Sequence, residues 1–152
     1  MSEPSESAVE PLTIDFTVDC LPEHAFAVWT EKAGAWWPSD HTISKEKGTT
    51  LVFEPRLGGR IYERTPSGAE HDWGEVSSWE PPHRLAYSWH MTTGVQNPTE
   101  VEITFTAAGA ATSVQISHRG WERFGAEADK RRARNRWGWE DLLPSYRRAC
   151  TA

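Results

Sequence analysis

The first regular pattern along the chain is an alternation in which Ile14, Phe16 and Val18 are apolar and Asp15, Thr17 and Asp19 are polar. A period of two predicts a half-buried strand. Pro22 follows where a first helical residue tolerates a missing N–H, and Glu23 suits the positive amino end of a helix. Pro22, Ala25, Phe26 and Trp29 then recur at i, i+3, i+4 and i+7, which predicts a short amphipathic helix. Ala33 to Trp37 predicts a second one, stopped by Pro38 because the residue before a proline is pushed out of the α region. From Thr49 the texture changes to short alternating runs between turn residues, the pattern of an antiparallel meander. Strands are predicted at about Thr50–Glu54, Arg60–Arg64, Trp73–Glu80, Arg84–Met91, Glu100–Thr106 and Thr112–His118. Leu57-Gly58-Gly59, Pro66-Ser67-Gly68 and Glu80-Pro81-Pro82-His83 mark turns, and Gly94–Pro98 and Ala107–Ala111 the remaining loops.

The last predicted element is a helix from about Ala126 to Ala149, with Trp139, Leu142, Leu143 and Tyr146 as an apolar stripe facing the sheet. Extended backwards by threes and fours, that stripe meets Arg136, Asn135, Arg132 and Ala128, so its inward face turns polar toward the amino end. Pro144 lies inside the helix and predicts a kink near Glu140 to Leu143. On the strands, Leu85, Tyr87 and Trp89 share one face, as do Trp73 and Trp79, and Val101, Ile103 and Phe105.

Length and composition narrow the function. With 152 residues the chain has the size of one domain. Residues 1–11, rich in Ser, Glu and Pro, are expected to form a flexible tail, leaving 12–152 as a single domain. No apolar run is long enough for a bilayer and the start has no secretory pattern. A cytoplasmic protein with no membrane insertion is expected. Cys20 and Cys150 are far apart and have no CxxC spacing, which suits free thiols in a reducing compartment, with a Cys20–Cys150 bridge as the alternative. The six histidines show no metal-ligand spacing, and no phosphate-binding glycine loop or nucleophile elbow is present. No metal, no cofactor and no catalytic residue are therefore expected. Glu54, Glu63 and Asp72 read as solvated carboxylates or ion-pair partners of Arg60 and Arg64. Residues 1–118 carry 7 basic against 17 acidic side chains, whereas 119–152 carry 9 against 5. The run Lys130, Arg131, Arg132, Arg134 and Arg136 beside so acidic a body is not a nucleic-acid footprint.

The words FEPRLGGRIYER (Phe53–Arg64), WGEVSSWEPPHRLAYSW (Trp73–Trp89), SHRGWERFG (Ser117–Gly125) and RWGWEDLLPSY (Arg136–Tyr146) occur in this order. Together they resemble bacterial proteins similar to the carboxy-terminal domain of the activator of heat-shock-chaperone ATPase. The resemblance covers about residues 12 to 149. It implies an α+β helix-grip fold of the START-like (SRPBCC) superfamily, order β-α-α-β6-α, with a curved antiparallel sheet around a long carboxy-terminal helix. It also implies a cavity between sheet and helix.

The reading of the residues beside that resemblance is a binder of a small hydrophobic or amphipathic molecule. Nine tryptophans serve cores and cavities alike. Trp73, Trp89, Phe105 and His118 are expected to line the cavity, with Tyr62 as a further member and Arg132 and Arg136 at its mouth, orienting the ligand's polar end. Salt bridges from these two arginines to Glu63 or Glu75 are the alternative. A rival reading is a module that binds a protein partner through Trp36-Trp37 and the sheet edge. A third is an enzyme acting on a hydrophobic substrate through His118 and a buried arginine.

Overall fold

A computed structural model describes residues 10–90 and 98–151. The expectations for most of the tail, for Met91 and for most of the Gly94–Pro98 loop lie outside those residues. Strand β1, Leu12–Val18, is followed by helices α1, Pro22–Trp29, and α2, Ala33–Trp36, and a 3-10 turn, Ser39–His41. The meander comprises β2, Thr50–Phe53; β3, Arg60–Arg64; β4, Glu70–Glu80; β5, Arg84–Trp89; β6, Thr99–Ala108; and β7, Ala111–Arg119. A 3-10 segment, Trp121–Glu127, leads into α3, Ala128–Thr151. All seven strands form one antiparallel sheet in the order β1-β7-β6-β5-β4-β3-β2. The sheet curls around α3 in the helix-grip arrangement.

The alternating strands behave as their sequences require. Leu85, Tyr87 and Trp89 of β5 and Val101, Ile103 and Phe105 of β6 are buried, and Leu85 pairs with Ile103 and Tyr87 with Val101 across the ladder. In β4 the buried positions Trp73 and Val76 and the half-buried Trp79 recur every third residue. Register shifts against β3 and β5 break the pleat there, as bulges do by leaving one residue unpaired. Gly74 is required in this stretch, because a Cβ would lie 1.8 Å from the Ser88 carbonyl oxygen of β5.

Helix α3 begins later than its composition suggests because Gly125 takes φ 54° and ψ −122°, outside the helical region. Pro144 is exposed and lies within one continuous helical segment. The helix buries Trp139, Leu142, Leu143, Tyr146 and Cys150. Tyr146 donates its hydroxyl to the Ala25 carbonyl at 2.7 Å and meets the Trp29 ring edge-on at 4.8 Å. That bond ties α3 to α1 through an otherwise apolar core, where a buried hydroxyl needs a partner. Cys20 and Cys150 are free thiols. Burial pushes the Cys150 thiol up to about 12. No helix among the described residues is long and apolar enough to cross a membrane.

Candidate functional site

The amino-terminal half of α3 leaves a gap against the sheet and the 3-10 turn. Its wall is Trp37, Trp89, Trp139 and Leu142, with His41, Arg134, Asn135 and Gly138 around it, and its volume is about 190 Å³. Trp139 lies between two other indoles, with its ring centre 6.0 Å from Trp89 and 6.0 Å from Trp29 at interplanar angles of 29°. Trp37 approaches Trp89 at 6.0 Å. Gly138 lines the gap, and a Cβ there would meet nothing within 4 Å. A mid-helix glycine costs helix propensity. With the polar turn of the inward stripe, it marks this stretch of α3 as other than a packing surface.

Of the residues expected to line a cavity, Trp89 is on its wall. Trp73 lies one layer behind, 5.1 Å from Trp37 and 5.5 Å from Trp89 between ring centres. Phe105 packs against Phe26 at 5.3 Å in the core. Tyr62 is covered by the guanidinium groups of Arg60 and Arg64, at 4.1 and 5.6 Å from its ring centre. Arg132 donates to the carbonyls of Glu10 and Pro11 at 2.8 and 3.0 Å, and Arg136 faces Glu140 at 3.8 Å. The arginine at the cavity is Arg134, on the row Arg134, Gly138 and Leu142; of the positions traced back from Trp139, Asn135 lines the cavity and Arg132 and Arg136 do not. Neither Glu63 nor Glu75 receives Arg132 or Arg136.

His118 is fully buried and both ring nitrogens are used. Trp139 donates its indole N–H to Nδ1 at 3.1 Å. That leaves the proton on Nε2, which lies 2.7 Å from the Thr99 hydroxyl, and Thr99 donates onward to the Trp89 carbonyl at 3.1 Å. The chain satisfies a neutral imidazole and has no place for a second proton. Burial accordingly lowers the His118 pKa to about 3. An unfolded chain, with an ordinary histidine near 6.5, binds that proton more readily, so His118's contribution is complete above about pH 6.5 and is lost as pH falls toward about 3. Denaturant titrations between about pH 5 and 6.5 should show stability falling by up to about 1.4 kcal/mol per unit. A His118→Gln variant should have a flatter slope, and an equal slope would assign it elsewhere.

Glu63 departs from the expectation of a solvated or ion-paired carboxylate. It is fully buried in β3 and accepts the backbone N–H groups of Ile43 at 2.6 Å and Ser44 at 2.9 Å and the Trp73 indole N–H at 2.8 Å. Burial pushes this carboxyl up, but those hydrogen bonds outweigh it and hold it below the usual carboxylate range. A charged Glu63 therefore pins the loop that follows His41. Of the other two carboxylates, Asp72 meets Arg60 at 2.6 Å as expected, and Glu54 meets the guanidinium of Arg56 at 3.1 Å rather than that of Arg60 or Arg64. Among the described residues, no three His, Cys, Asp or Glu side chains gather as metal ligands would.

Residues 19–145 match the model of the family described as Activator of Hsp90 ATPase homolog 1-like protein. The chain belongs to this family. No curated protein matches the sequence. Among solved structures, the family member described here is similar to a self-sacrificing resistance protein, CalC, from Micromonospora echinospora. The two are 27% identical over 94% of this chain and 95% of that one, with a TM-score of 0.71. It is also similar to an anthrahydroquino-γ-pyrone synthase, 32% identical over 89% of this chain and 87% of the synthase, TM-score 0.59. An Hsp90 activator from Plasmodium falciparum shares the fold at 16% identity, over 73% of each chain, TM-score 0.52.

Proposed function

We propose that this protein binds a small, flat, hydrophobic or amphipathic molecule in the cavity between α3 and the sheet, and does so in the cytoplasm. The observation that carries the reading is the three-tryptophan wall of Trp37, Trp89 and Trp139 with Arg134, His41 and Asn135 beside it. Apolar walls with a few convergent polar groups are how small-molecule sites combine affinity with orientation. A volume of about 190 Å³ is below the range of drug-sized sites and suits one or two fused rings. The similarity to a synthase named for a fused-ring product supports a flat ligand. A partner-binding module working through Trp36-Trp37 has less support. Trp36 is buried, its N–H bonded to the Val28 carbonyl at 2.7 Å, and Trp37 is turned to the cavity.

The test uses 2-naphthoate, a two-ring anion. Binding should quench tryptophan fluorescence, and Arg134→Gln should weaken it about tenfold, as loss of a charge-assisted hydrogen bond does. Exchanging both Arg132 and Arg136 for glutamine should leave affinity unchanged, because both are engaged elsewhere. No quenching by the wild type would defeat the cavity reading. The reverse order of the two variants would return the ligand's polar end to Arg132 and Arg136.

A further inference from the structure

The histidine that lines the cavity is not the buried His118 but His41. It closes the 3-10 turn Ser39–His41, with its N–H on the Pro38 carbonyl at 3.1 Å. Its own carbonyl accepts the Trp37 indole N–H at 3.0 Å, so its backbone is fastened to a residue of the cavity wall. Behind it, Ile43 and Ser44 are held by the buried Glu63 carboxylate. These contacts give the imidazole a fixed base on a loop that would otherwise move.

The ring has a partner as well. His41 Nε2 lies 2.8 Å from Asp141 Oδ2 on α3. A carboxylate only accepts, so this contact places the ring proton on Nε2 and leaves the lone pair on Nδ1. Among the described residues no group hydrogen-bonds to Nδ1. An imidazole oriented by a carboxylate through one nitrogen, with the other nitrogen basic, is the arrangement of a general base. Arg134 lines the same cavity and makes no ion pair among the described residues, where Arg136 faces Glu140 and His41 occupies Asp141. Its guanidinium is available for negative charge that develops on a bound molecule. The tryptophan wall excludes water from one side, which strengthens both effects.

We propose that this cavity is a proton-transfer site in which His41 is the base, Asp141 its positioning residue and Arg134 the acceptor of developing negative charge. The fitting substrate class is a flat conjugated carbon acid, a ring carrying an acidic C–H conjugated to an oxygen. In the step, the C–H bond breaks and its proton joins His41 Nδ1. The electron pair moves through the conjugated system to the oxygen, which faces Arg134. The imidazolium then returns the proton to another atom of the same molecule, so the net change is an isomerisation and needs no oxidant or co-reactant. The inference rests on the cavity reading above.

The probe is 5-nitrobenzisoxazole, a flat carbon acid. Removal of its ring proton forms a nitrile as the N–O bond breaks, releasing a coloured phenolate. Wild-type protein should exceed His41→Gln by about a hundredfold in kcat/KM, the low end of what a positioned base contributes. Glutamine keeps an N–H for Asp141 but has no basic lone pair, so stability should hardly change. Asp141→Asn should lower kcat about tenfold with KM unchanged, since a residue that orients the base does not bind the probe. Probe binding is followed separately by tryptophan quenching. If the probe quenches but His41→Gln turns over within about twofold of wild type, the base is overturned and the cavity reading stands. If kcat is unchanged in Asp141→Asn, the assigned pair is overturned. A probe that does not bind overturns the carbon-acid assignment, while quenching by 2-naphthoate decides the cavity reading separately.

Discussion

Replacing Trp139 with alanine should cost about 3–5 kcal/mol of stability, the usual range for truncating a buried tryptophan. Three losses coincide at this side chain. The ring is buried between Trp29 and Trp89, so its removal leaves both indoles without a packing partner. Its N–H is the donor to His118 Nδ1, and a buried acceptor left without its partner adds its own desolvation cost. The third loss is functional, because the same ring is a wall of the cavity, and 2-naphthoate binding should disappear with it. Urea unfolding of the wild type and variant gives the stability change from the midpoint shift at constant slope. A cost below about half a kcal/mol would mean that α3 is not docked through this residue.

The second large effect is expected at Glu63. Glu63→Leu should cost about 3–5 kcal/mol, because two backbone N–H groups and the buried Trp73 indole lose a charged acceptor. The variant should also lose ligand affinity although Glu63 does not line the cavity, since Ile43 and Ser44 directly follow the Thr42 and His41 they help to place. The pH dependence has a definite sign. The folded carboxyl titrates below its unfolded value near 4.3, so its contribution is complete above that pH and disappears as the folded group is protonated on acidification. His118 destabilises the fold from a higher pH downward, so acid unfolding should begin with His118 and continue through Glu63. Unchanged stability and ligand affinity in Glu63→Leu would show that the loop is held by its own contacts, such as the Lys45 N–H on the Thr42 hydroxyl at 2.9 Å.

The periodicities of this sequence were sufficient for the order of its elements, and the resemblance carried by its motifs implied the helix-grip arrangement. Alternation in Leu85-Tyr87-Trp89 and Val101-Ile103-Phe105 specified strands with one buried face. The spacing of Trp139, Leu142, Leu143 and Tyr146 specified the docked face of α3. These patterns are legible because burial on one face repeats with the geometry of the element itself. The β4 strand was less legible, since bulges place Trp73 and Val76 on one side at a spacing that alternation does not contain.

The site depended on information that no single element carries. Tracing Trp139 backwards led to Arg132 and Arg136, but at about 100° per residue Arg134 lies about 160° around the helix from each of them, on the row with Gly138 and Leu142 that faces the gap. His41 and Asp141 are 100 positions apart in sequence and 2.8 Å apart in space, a proximity set by how the 3-10 turn is pinned against α3. Likewise, a glutamate on a strand looks like a solvated charge until the fold brings backbone N–H groups 19 and 20 residues away onto its oxygens. Local sequence determined which faces had to be buried, because that depends on side-chain chemistry and element period alone. Only the tertiary structure decided which aromatic rings stop short of filling the space between them and which polar groups face that space, because both depend on distances between elements.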